Sequence, residues 1–308
     1  MTQTGSRVGS ATVTFAGSGD AFGSGGRLQA CILLRADDQP PVLLDCGATS
    51  LVALKRRAID PNLVAAVFVS HMHVDHFGGV PPLILDGQFS RRTAPLTVIG
   101  PAGAERRLAA AMEVIFPGSS AVHRRFAVNV VELEPGATPR LIDGVTVQGW
   151  PVDHGIHGGP FLGLRLAIGG AIIGYTGDTA WTDTLLDIAA GADLFIAESY
   201  YWDKQVSYHL RHADLLAHRD QLGGVRTILT HMSDDMLSHC TRGPIRARLR
   251  RSQRDRVKGP GERYRQGEDH RLVVDRVADE WAGHAVTAAA AAAEFCADDC
   301  DDLDARLA

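Results

Sequence analysis

The sequence lacks the features of several specialised classes of protein. Its five cysteines form no C-x-x-C pair, which argues against a cysteine zinc site and against the disulfide framework of a small secreted domain. No apolar run reaches the ~20 residues needed to span a bilayer. The first residues, M-T-Q-T-G-S-R, show neither the basic start nor the apolar stretch of a signal peptide. We therefore expect a cytoplasmic protein with no membrane partner.

Net positive charge is also missing. With a formal net charge of −5, the chain has no overall attraction for nucleic acid, so an anionic substrate would need a local positive site. Bound metal ions can provide one, because they are often the largest charges in a site. A hydrophobic content of 45% in 308 residues is sufficient for a large packed core. We expect a globular protein in which an anionic substrate would bind at a local positive site.

Short apolar runs alternate with segments of helical spacing along most of the chain. Residues 64–70 (V-A-A-V-F-V-S) are almost wholly apolar, which is typical of a strand buried on both faces. Residues 161–168 and 171–176 predict a hairpin that turns at Gly169 and Gly170. Strands of this kind with helices outside them predict an α/β (α+β) fold, in which two mixed sheets pack face to face between helical layers.

The pattern changes beyond about residue 240. Residues 242–266 are rich in arginine, and residues 285–293 are nearly all alanine. Neither composition supplies the apolar side chains that a packed core needs. The sequence therefore predicts one folded domain over residues 1–240 and a poorly ordered appendage over residues 241–308. A solvated linker is the favoured role of the arginines, and contact with nucleic acid is the alternative.

Four potential metal ligands occur within six residues, directly after the buried strand. They form the motif H-x-H-x-D-H, with His71, His73, Asp75 and His76. Residues two apart in an extended chain point to the same side, so His71 and His73 can converge on one ion. The chain then turns toward a helix, so Asp75 and His76 can serve a second ion. Imidazole nitrogens and carboxylate oxygens are ligands for Zn²⁺, Mn²⁺ or Fe²⁺.

Three further residues of ligand type follow other predicted strands. His154 comes after the strand that ends at Trp150, Asp178 lies in Y-T-G-D-T, and His231 lies in I-L-T-H-M. Each is just past the carboxyl end of a strand, where a loop can reach a shared site. A single histidine in such a place is a weak signal, but the recurrence beside the first motif predicts one metal centre.

In these motifs the chain resembles the metallo-β-lactamase superfamily, over roughly residues 11–238. The resemblance implies an αββα four-layer sandwich and a metal-dependent hydrolase with two divalent cations. It implies that a hydroxide bridging the cations is the nucleophile, with Zn²⁺ as the expected metal and Mn²⁺ or Fe²⁺ as alternatives. The implied ligands are His71, His73 and His154 for one ion, Asp75, His76 and His231 for the other, and Asp178 as a bridge.

The segment 197–231 is similar to the ribonuclease Z branch of this superfamily. The resemblance implies that Glu198 orients His209, and that His209 assists the leaving oxygen of a phosphodiester. Asp75 is expected to hold the second cation and to take the proton of the nucleophile. The glycine-rich loop 17–26 also resembles the first loop of that branch, and its backbone amides would line the site.

The interval 155–177 departs from the ribonuclease Z pattern. Members of that branch usually carry a long flexible arm there to grip transfer RNA, whereas this interval has room only for a hairpin. This departure favours a small-molecule or nucleotide phosphodiester, or an RNA 3′ end other than that of transfer RNA. Processing of transfer-RNA 3′ ends remains an alternative.

Two further classes of function are compatible with the same motifs. One is a dimetal hydrolase of a carboxylic ester, lactone or sulfate ester, and the other is a non-catalytic metal-binding module. A homodimer is the assembly that the resemblance implies. His157 and Arg27 are weaker site candidates, the first as a pocket residue and the second as a phosphate contact.

Overall fold

A computed structural model of the chain describes residues 11–37, 39–240 and 286–287. The strands are β1 Ala11–Gly17, β2 Cys31–Ala36, β3 Gln39–Leu44, β4 Ala66–Phe68, β5 Leu96–Pro101, β6 Val128–Leu133, β7 Arg140–Ile142, β8 Val145–Pro151, β9 Leu162–Ile168, β10 Ala171–Tyr175, β11 Leu194–Glu198, β12 Thr227–Thr230 and β13 Val286–Thr287. The α-helices are α1 Ser50–Arg56, α2 Val74–Phe77, α3 Val80–Phe89, α4 Ala104–Ile115, α5 Thr184–Ala189, α6 His212–Ala217 and α7 Asp234–Cys240.

The strands form two sheets that pack face to face. The first has the order β13-β1-β2-β3-β4-β5-β6, and the second has the order β12-β11-β10-β9-β8-β7. The main core lies between them and contains fully buried side chains of both sheets, such as Ile32 and Phe68 from the first and Leu162, Leu166 and Ile196 from the second. Truncating one such side chain to alanine typically costs about 2–5 kcal/mol.

Helices cover the outer face of each sheet. Ala53 and Leu54 of α1, Ile84 of α3 and Met112 of α4 belong to a second core on the first sheet. A third core joins α5, α6 and α7 to the second sheet, with Leu185 among its buried members. The predicted αββα sandwich of two mixed sheets is therefore confirmed.

The strand directions bring several loops to one edge of the sandwich. β3, β4, β5 and β6 pair in parallel in the first sheet, and β10, β11 and β12 pair in parallel in the second. The carboxyl ends of parallel strands lie at the same edge of a sheet, so the residues that follow them can meet. The turn of the predicted hairpin falls at Gly169 and Gly170, between β9 and β10.

Close glycine contacts press the loop after β3 against the H-x-H-x-D-H motif. A Cβ atom at Gly47 would lie 2.1 Å from the carbonyl oxygen of Asp75, and one at Gly79 would lie 2.2 Å from that of Gly47. No other residue type fits at such distances. His73 stands at the amino end of α2, so the motif enters a short helix at Val74, ahead of the helix that was expected only after Gly79 and that is present as α3.

The predicted domain of 1–240 and the appendage of 241–308 lie partly outside the described residues. Within the appendage only Val286 and Thr287 are described, and they pair antiparallel with Val13 and Thr12 of β1. Among the described residues, no helix has the length and apolar character needed to cross a membrane.

Candidate metal centre

The structure brings all seven predicted ligands together at the shared edge of the two sheets. They form two groups, and within each group the ligand atoms lie within 4.8 Å of one another. Six of the seven side chains are buried, and His73 is half-buried. The first group is His71, His73 and His154, and the second is Asp75, His76, Asp178 and His231.

Asp178 lies between the two groups. Its Oδ1 atom is 3.2 Å from His76 Nε2, and its Oδ2 atom is 3.3 Å from His231 Nε2. On the other side, Oδ2 is 3.9 Å from His71 Nε2 and 3.7 Å from His154 Nε2. The carboxylate therefore faces both groups, as the resemblance to the superfamily implies for a bridging ligand.

Asp45 fixes the orientation of two of the histidines. His76 donates from Nδ1 to Asp45 Oδ2 over 2.6 Å. Ser70 donates from Oγ to the same carboxylate oxygen over 2.8 Å, which leaves Ser70 Oγ to accept from His71 Nδ1 over 3.0 Å. The network assigns the proton of each ring to Nδ1 and leaves the Nε2 lone pair for a ligand, which is the usual arrangement in carboxylate–histidine–metal triads.

Sequence reasoning missed Asp45, although a signal was present. Asp45 directly follows the apolar run of β3 (V-L-L), in the same way that the recognised ligands follow their strands. Its fully buried carboxylate also accepts from the backbone N–H of Ser70 over 2.7 Å and from the Tyr175 hydroxyl over 2.7 Å. Asp45 thus connects the motif after β4 to the second sheet.

The ring of His154 is held by backbone. His154 donates from Nδ1 to the carbonyl oxygen of Tyr208 over 2.9 Å, so its Nε2 atom points into the first group. There Nε2 lies 3.1 Å from Nδ1 of His73. Two ring nitrogens that converge in this way suit a shared cation, because each can present a lone pair to it.

Several buried polar atoms of the centre have no hydrogen-bond partner among the described residues. They are His71 Nε2, His76 Nε2, His231 Nδ1 and Asp178 Oδ1. Leaving a buried polar group unsatisfied costs about 1–3 kcal/mol. His71 Nε2, His76 Nε2 and Asp178 Oδ1 are atoms that can bind a metal ion, so a bound cation would satisfy them. The residues present therefore fit a divalent metal site.

The electrostatic balance of the second group favours positive charge. Burial alone would lower the pKa of His231, but Asp178 and Asp75 raise it to about 9. Burial opposes charge at His76 as well, yet Asp178, Asp75 and Asp45 hold its pKa well above the ordinary 6.5. In the first group, burial followed by repulsion from His76 holds the pKa of His71 well below 6.5. The carboxylates thus stabilise a proton or a metal cation.

Glu198 and His209 form the predicted pair beside the ligands. His209 donates from Nδ1 to Glu198 Oε2 over 3.0 Å, and the backbone N–H of Thr179 donates to Glu198 Oε1. Burial lowers the pKa of His209, but the Glu198 carboxylate outweighs it and the net shift is upward. A ring nitrogen of His209 also lies within 4.8 Å of ligand atoms of His154 and Asp178. His209 can therefore hold a proton at the edge of the metal centre.

Three non-glycine residues at the centre have left-handed backbone. They are Asp45 with a φ of 57°, His231 with 55° and Tyr208 with 69°. Such conformations are uncommon for non-glycine residues and cost about 1–3 kcal/mol each. The surrounding contacts hold these conformations. They direct the side chains of Asp45 and His231 and the carbonyl of Tyr208 toward residues of the metal centre.

The glycine-rich loop borders the second group through a backbone carbonyl, while the lining of the site by its backbone amides stays a prediction. The backbone N–H of His231 donates to the carbonyl oxygen of Ser18 over 3.0 Å. Arg27 directly follows this loop, and a Cβ atom at Gly19 would lie 2.8 Å from the Cβ of Arg27. His157 is exposed on the loop that follows His154. Their roles as substrate contacts stay predictions.

Comparison with known proteins gives a family match over most of the described chain. A family model described as a beta-lactamase superfamily domain matches residues 41–232. Ribonuclease Z of Methanosarcina acetivorans is 23% identical over 272 residues, which cover 72% of this chain and 87% of that protein. Ribonuclease Z of Bacillus cereus is 26% identical over 274 residues, which cover 71% and 87%.

Solved structures share the fold. The short form of human tRNase Z superposes with a TM-score of 0.60 at 24% identity, covering 72% of this chain and 93% of that one. A metallo-beta-lactamase fold protein from Bacillus subtilis gives 0.60 at 21% identity, covering 73% and 87%. A diphosphatase from the PhnP family gives 0.57 at 21% identity, covering 73% and 88%.

Proposed function

Since this chain belongs to the metallo-β-lactamase superfamily, we propose that it is a dimetal hydrolase that cleaves phosphodiesters. The observation that carries the proposal is the hydrogen-bonded pair of Glu198 and His209, which opens onto a cluster of seven ligand-type side chains. The cluster would hold the metals, and the pair would supply a proton to the leaving oxygen.

The proposed occupants are two divalent cations, with Zn²⁺ favoured and Mn²⁺ or Fe²⁺ as alternatives. One would be held by the three imidazoles of the first group, and the other by the second group, with Asp178 reaching both. Mixed nitrogen and carboxylate donors are typical of catalytic sites for these ions. When bound, the cations would polarise the phosphate oxygens and lower the pKa of a water molecule.

Asp75 has a proposed role in moving a proton. Its Oδ2 atom lies 3.0 Å from His231 Nε2 and 3.3 Å from His76 Nε2. His76 and His231 hold the pKa of the Asp75 carboxyl well below its usual value, against the opposing effect of burial, so it is ionised at neutral pH. An ionised carboxylate in this position can both bind a cation and accept the proton of the attacking water.

His209 is the proposed general acid. Glu198 fixes the proton of His209 on Nδ1 and raises the pKa of this imidazole, whose ring lies beside the ligand atoms of His154 and Asp178. Stacking against the Tyr200 ring, with a centroid separation of 4.7 Å, keeps the imidazole in place. In the in-line displacement at a phosphodiester the leaving oxygen departs as the nucleophile attacks, so its protonation bears directly on the barrier, whereas a carboxylic ester or lactone first forms a tetrahedral intermediate. The pair therefore favours phosphodiesters over carboxylic esters and lactones, and the assay below separates phosphodiesters from sulfate esters.

The names of the relatives support the same class of bond. Ribonuclease Z and a PhnP-family diphosphatase both act on phosphate linkages, as their names state. In this chain the interval 155–177 is occupied by one loop and by β9 and β10 with their two-residue turn. A compact hairpin in the place where the arm was expected favours a small-molecule or nucleotide substrate over transfer RNA.

The test is hydrolysis of bis(p-nitrophenyl) phosphate by protein loaded with Zn²⁺ or Mn²⁺. We expect turnover of this diester to exceed that of p-nitrophenyl acetate, a lactone and p-nitrophenyl sulfate. Asp75→Ala should lose turnover together with part of the bound metal. Asp86→Asn, a surface change on α3, is the matched control and should behave as the parent protein. Hydrolysis of the carboxylic ester or the lactone without hydrolysis of the diester would overturn the proposal.

A further inference from the structure

Tyr208 occupies a strained position between a predicted metal ligand and the proposed general acid. Its carbonyl oxygen accepts the Nδ1–H of His154 over 2.9 Å, and the next residue along the chain is His209. To serve both neighbours the backbone of Tyr208 adopts a φ of 69°. Glycine would adopt this conformation at lower cost, and any residue would supply the carbonyl. Neither the backbone conformation nor this hydrogen bond therefore explains why residue 208 is a tyrosine.

The side chain of Tyr208 lies across the loop that follows His154. A Cβ atom at Gly155 would be 3.7 Å from Tyr208 Cδ2 and 3.8 Å from Cε2, which places one edge of the ring beside this loop. The residue Tyr208 is 39% exposed, and Ile156 on this loop is 85% exposed. The two side chains present aromatic and aliphatic surface to solvent, beside His154 and His209.

The same loop is anchored at its far end. Arg107 of α4 donates to the carbonyl oxygen of Gly159 over 3.4 Å. Phe161 packs against His154 with ring centroids 5.0 Å apart. A Cβ atom at Gly158 would be 3.3 Å from Nε2 of His73. The loop is thus held against both the metal ligands and α4, so the surface that carries Tyr208 has a defined position relative to the centre.

From this arrangement, and on the basis of the proposed function, we infer that Tyr208 is a specificity residue that stacks a nucleobase on the leaving side of the scissile bond. A leaving oxygen that receives its proton from His209 must lie next to this histidine, so the group attached to it passes along the adjoining surface. Aromatic side chains stack on bases of any identity. The substrate class is therefore a phosphodiester whose leaving group is a nucleoside.

The experiment compares dinucleoside monophosphates that differ only in one base. One substrate carries both bases, and two others lack the base on one sugar or on the other, so the scissile bond and the leaving oxygen are unchanged. Product analysis shows which sugar leaves. We expect kcat/KM to be about tenfold higher when the leaving sugar carries its base, as base–aromatic stacking typically gives such a factor. Removal of the base on the other sugar should have a smaller effect.

Variants of Tyr208 assign the preference to the ring. Tyr208→Gly keeps the carbonyl and suits the positive φ, and it should lower kcat/KM for the base-bearing substrate about tenfold more than for the abasic one. Tyr208→Trp should keep the preference, because indole also stacks. Phe89→Ala removes an exposed aromatic at the carboxyl end of α3 and serves as the matched control. Metal content is measured for each variant, as an intact His154 should retain it.

Three results would contradict the inference, each in a distinct way. Equal kcat/KM for base-bearing and abasic leaving groups in the parent protein would remove the stacking role and leave the proposed function intact. An equal loss on both substrates in Tyr208→Gly would show that Tyr208 acts only through His154. Failure of the metal-loaded parent to cleave the dinucleoside monophosphates while it cleaves bis(p-nitrophenyl) phosphate would overturn the inference alone, and failure on both kinds of diester would overturn the proposed function as well.

Discussion

Replacing Asp45 with asparagine should weaken metal binding although Asp45 is not a predicted ligand. Its carboxylate accepts four hydrogen bonds, one at Oδ1 from the Ser70 N–H and three at Oδ2 from the Ser70 hydroxyl, the Tyr175 hydroxyl and His76. In asparagine an NH₂ group takes the place of either Oδ1 or Oδ2. At least one buried donor then loses its acceptor.

The magnitude follows from these contacts. An orphaned buried donor costs about 1–3 kcal/mol, and the loss of the charge weakens the remaining bonds. We therefore expect Asp45→Asn to lower the free energy of unfolding by about 2–4 kcal/mol, from the sum of these two terms. Because His76 loses its charged partner, and His71 is oriented through Ser70, metal affinity should fall about 10- to 100-fold.

Two assays measure the prediction. Urea denaturation of the metal-free protein gives the free energy of unfolding, and competition with a chromophoric chelator gives the metal affinity. Asp86→Asn is the matched control, because Asp86 pairs with the half-exposed Lys55 and such surface pairs contribute about 0–1 kcal/mol. Metal affinity of Asp45→Asn within twofold of the parent would refute the argument that Asp45 orients the ligands.

Two further predictions concern histidines outside the ligand set. His209→Ala should retain its metal and lose about 10²–10⁴-fold in kcat on phosphodiesters, since general acid catalysis contributes this much; kcat equal to the parent would exclude the role. Burial, followed by repulsion from His239, lowers the pKa of His212 to about 4. The unfolded chain therefore binds this proton more readily, and stability is lost as pH falls from about 6.5 toward 4. His212→Phe keeps the stack on Trp202 and should lose less stability between pH 7 and pH 5; equal losses would contradict the assignment.

The seven ligand candidates could be found from the sequence because each follows a strand. In a sandwich with parallel strands, residues past the carboxyl ends reach one edge, and this holds without knowledge of the loops. The superfamily and the fold are confirmed. The structure groups the side chains as the sequence predicts, while their binding of metal and the number and identity of the ions stay predictions.

The contacts that orient the ligands could not be predicted in the same way. Tyr175 reaches Asp45 across the interface between the two sheets, and the carbonyl of Tyr208 reaches His154 from a segment far along the chain. Such contacts depend on loop conformation, including positive φ angles at non-glycine residues, which local sequence patterns do not indicate. The homodimer, the cytoplasmic location and the appendage of 241–308 stay predictions as well.

The most direct test of the central claim is a metal titration of the metal-free protein, followed by turnover of bis(p-nitrophenyl) phosphate. Zn²⁺ is added in steps, bound metal is measured at each step, and the rate is recorded on the same samples. We predict that turnover rises to a plateau as two ions bind per chain. Two bound ions without turnover, or full turnover with one, would contradict the account of a dimetal phosphodiesterase.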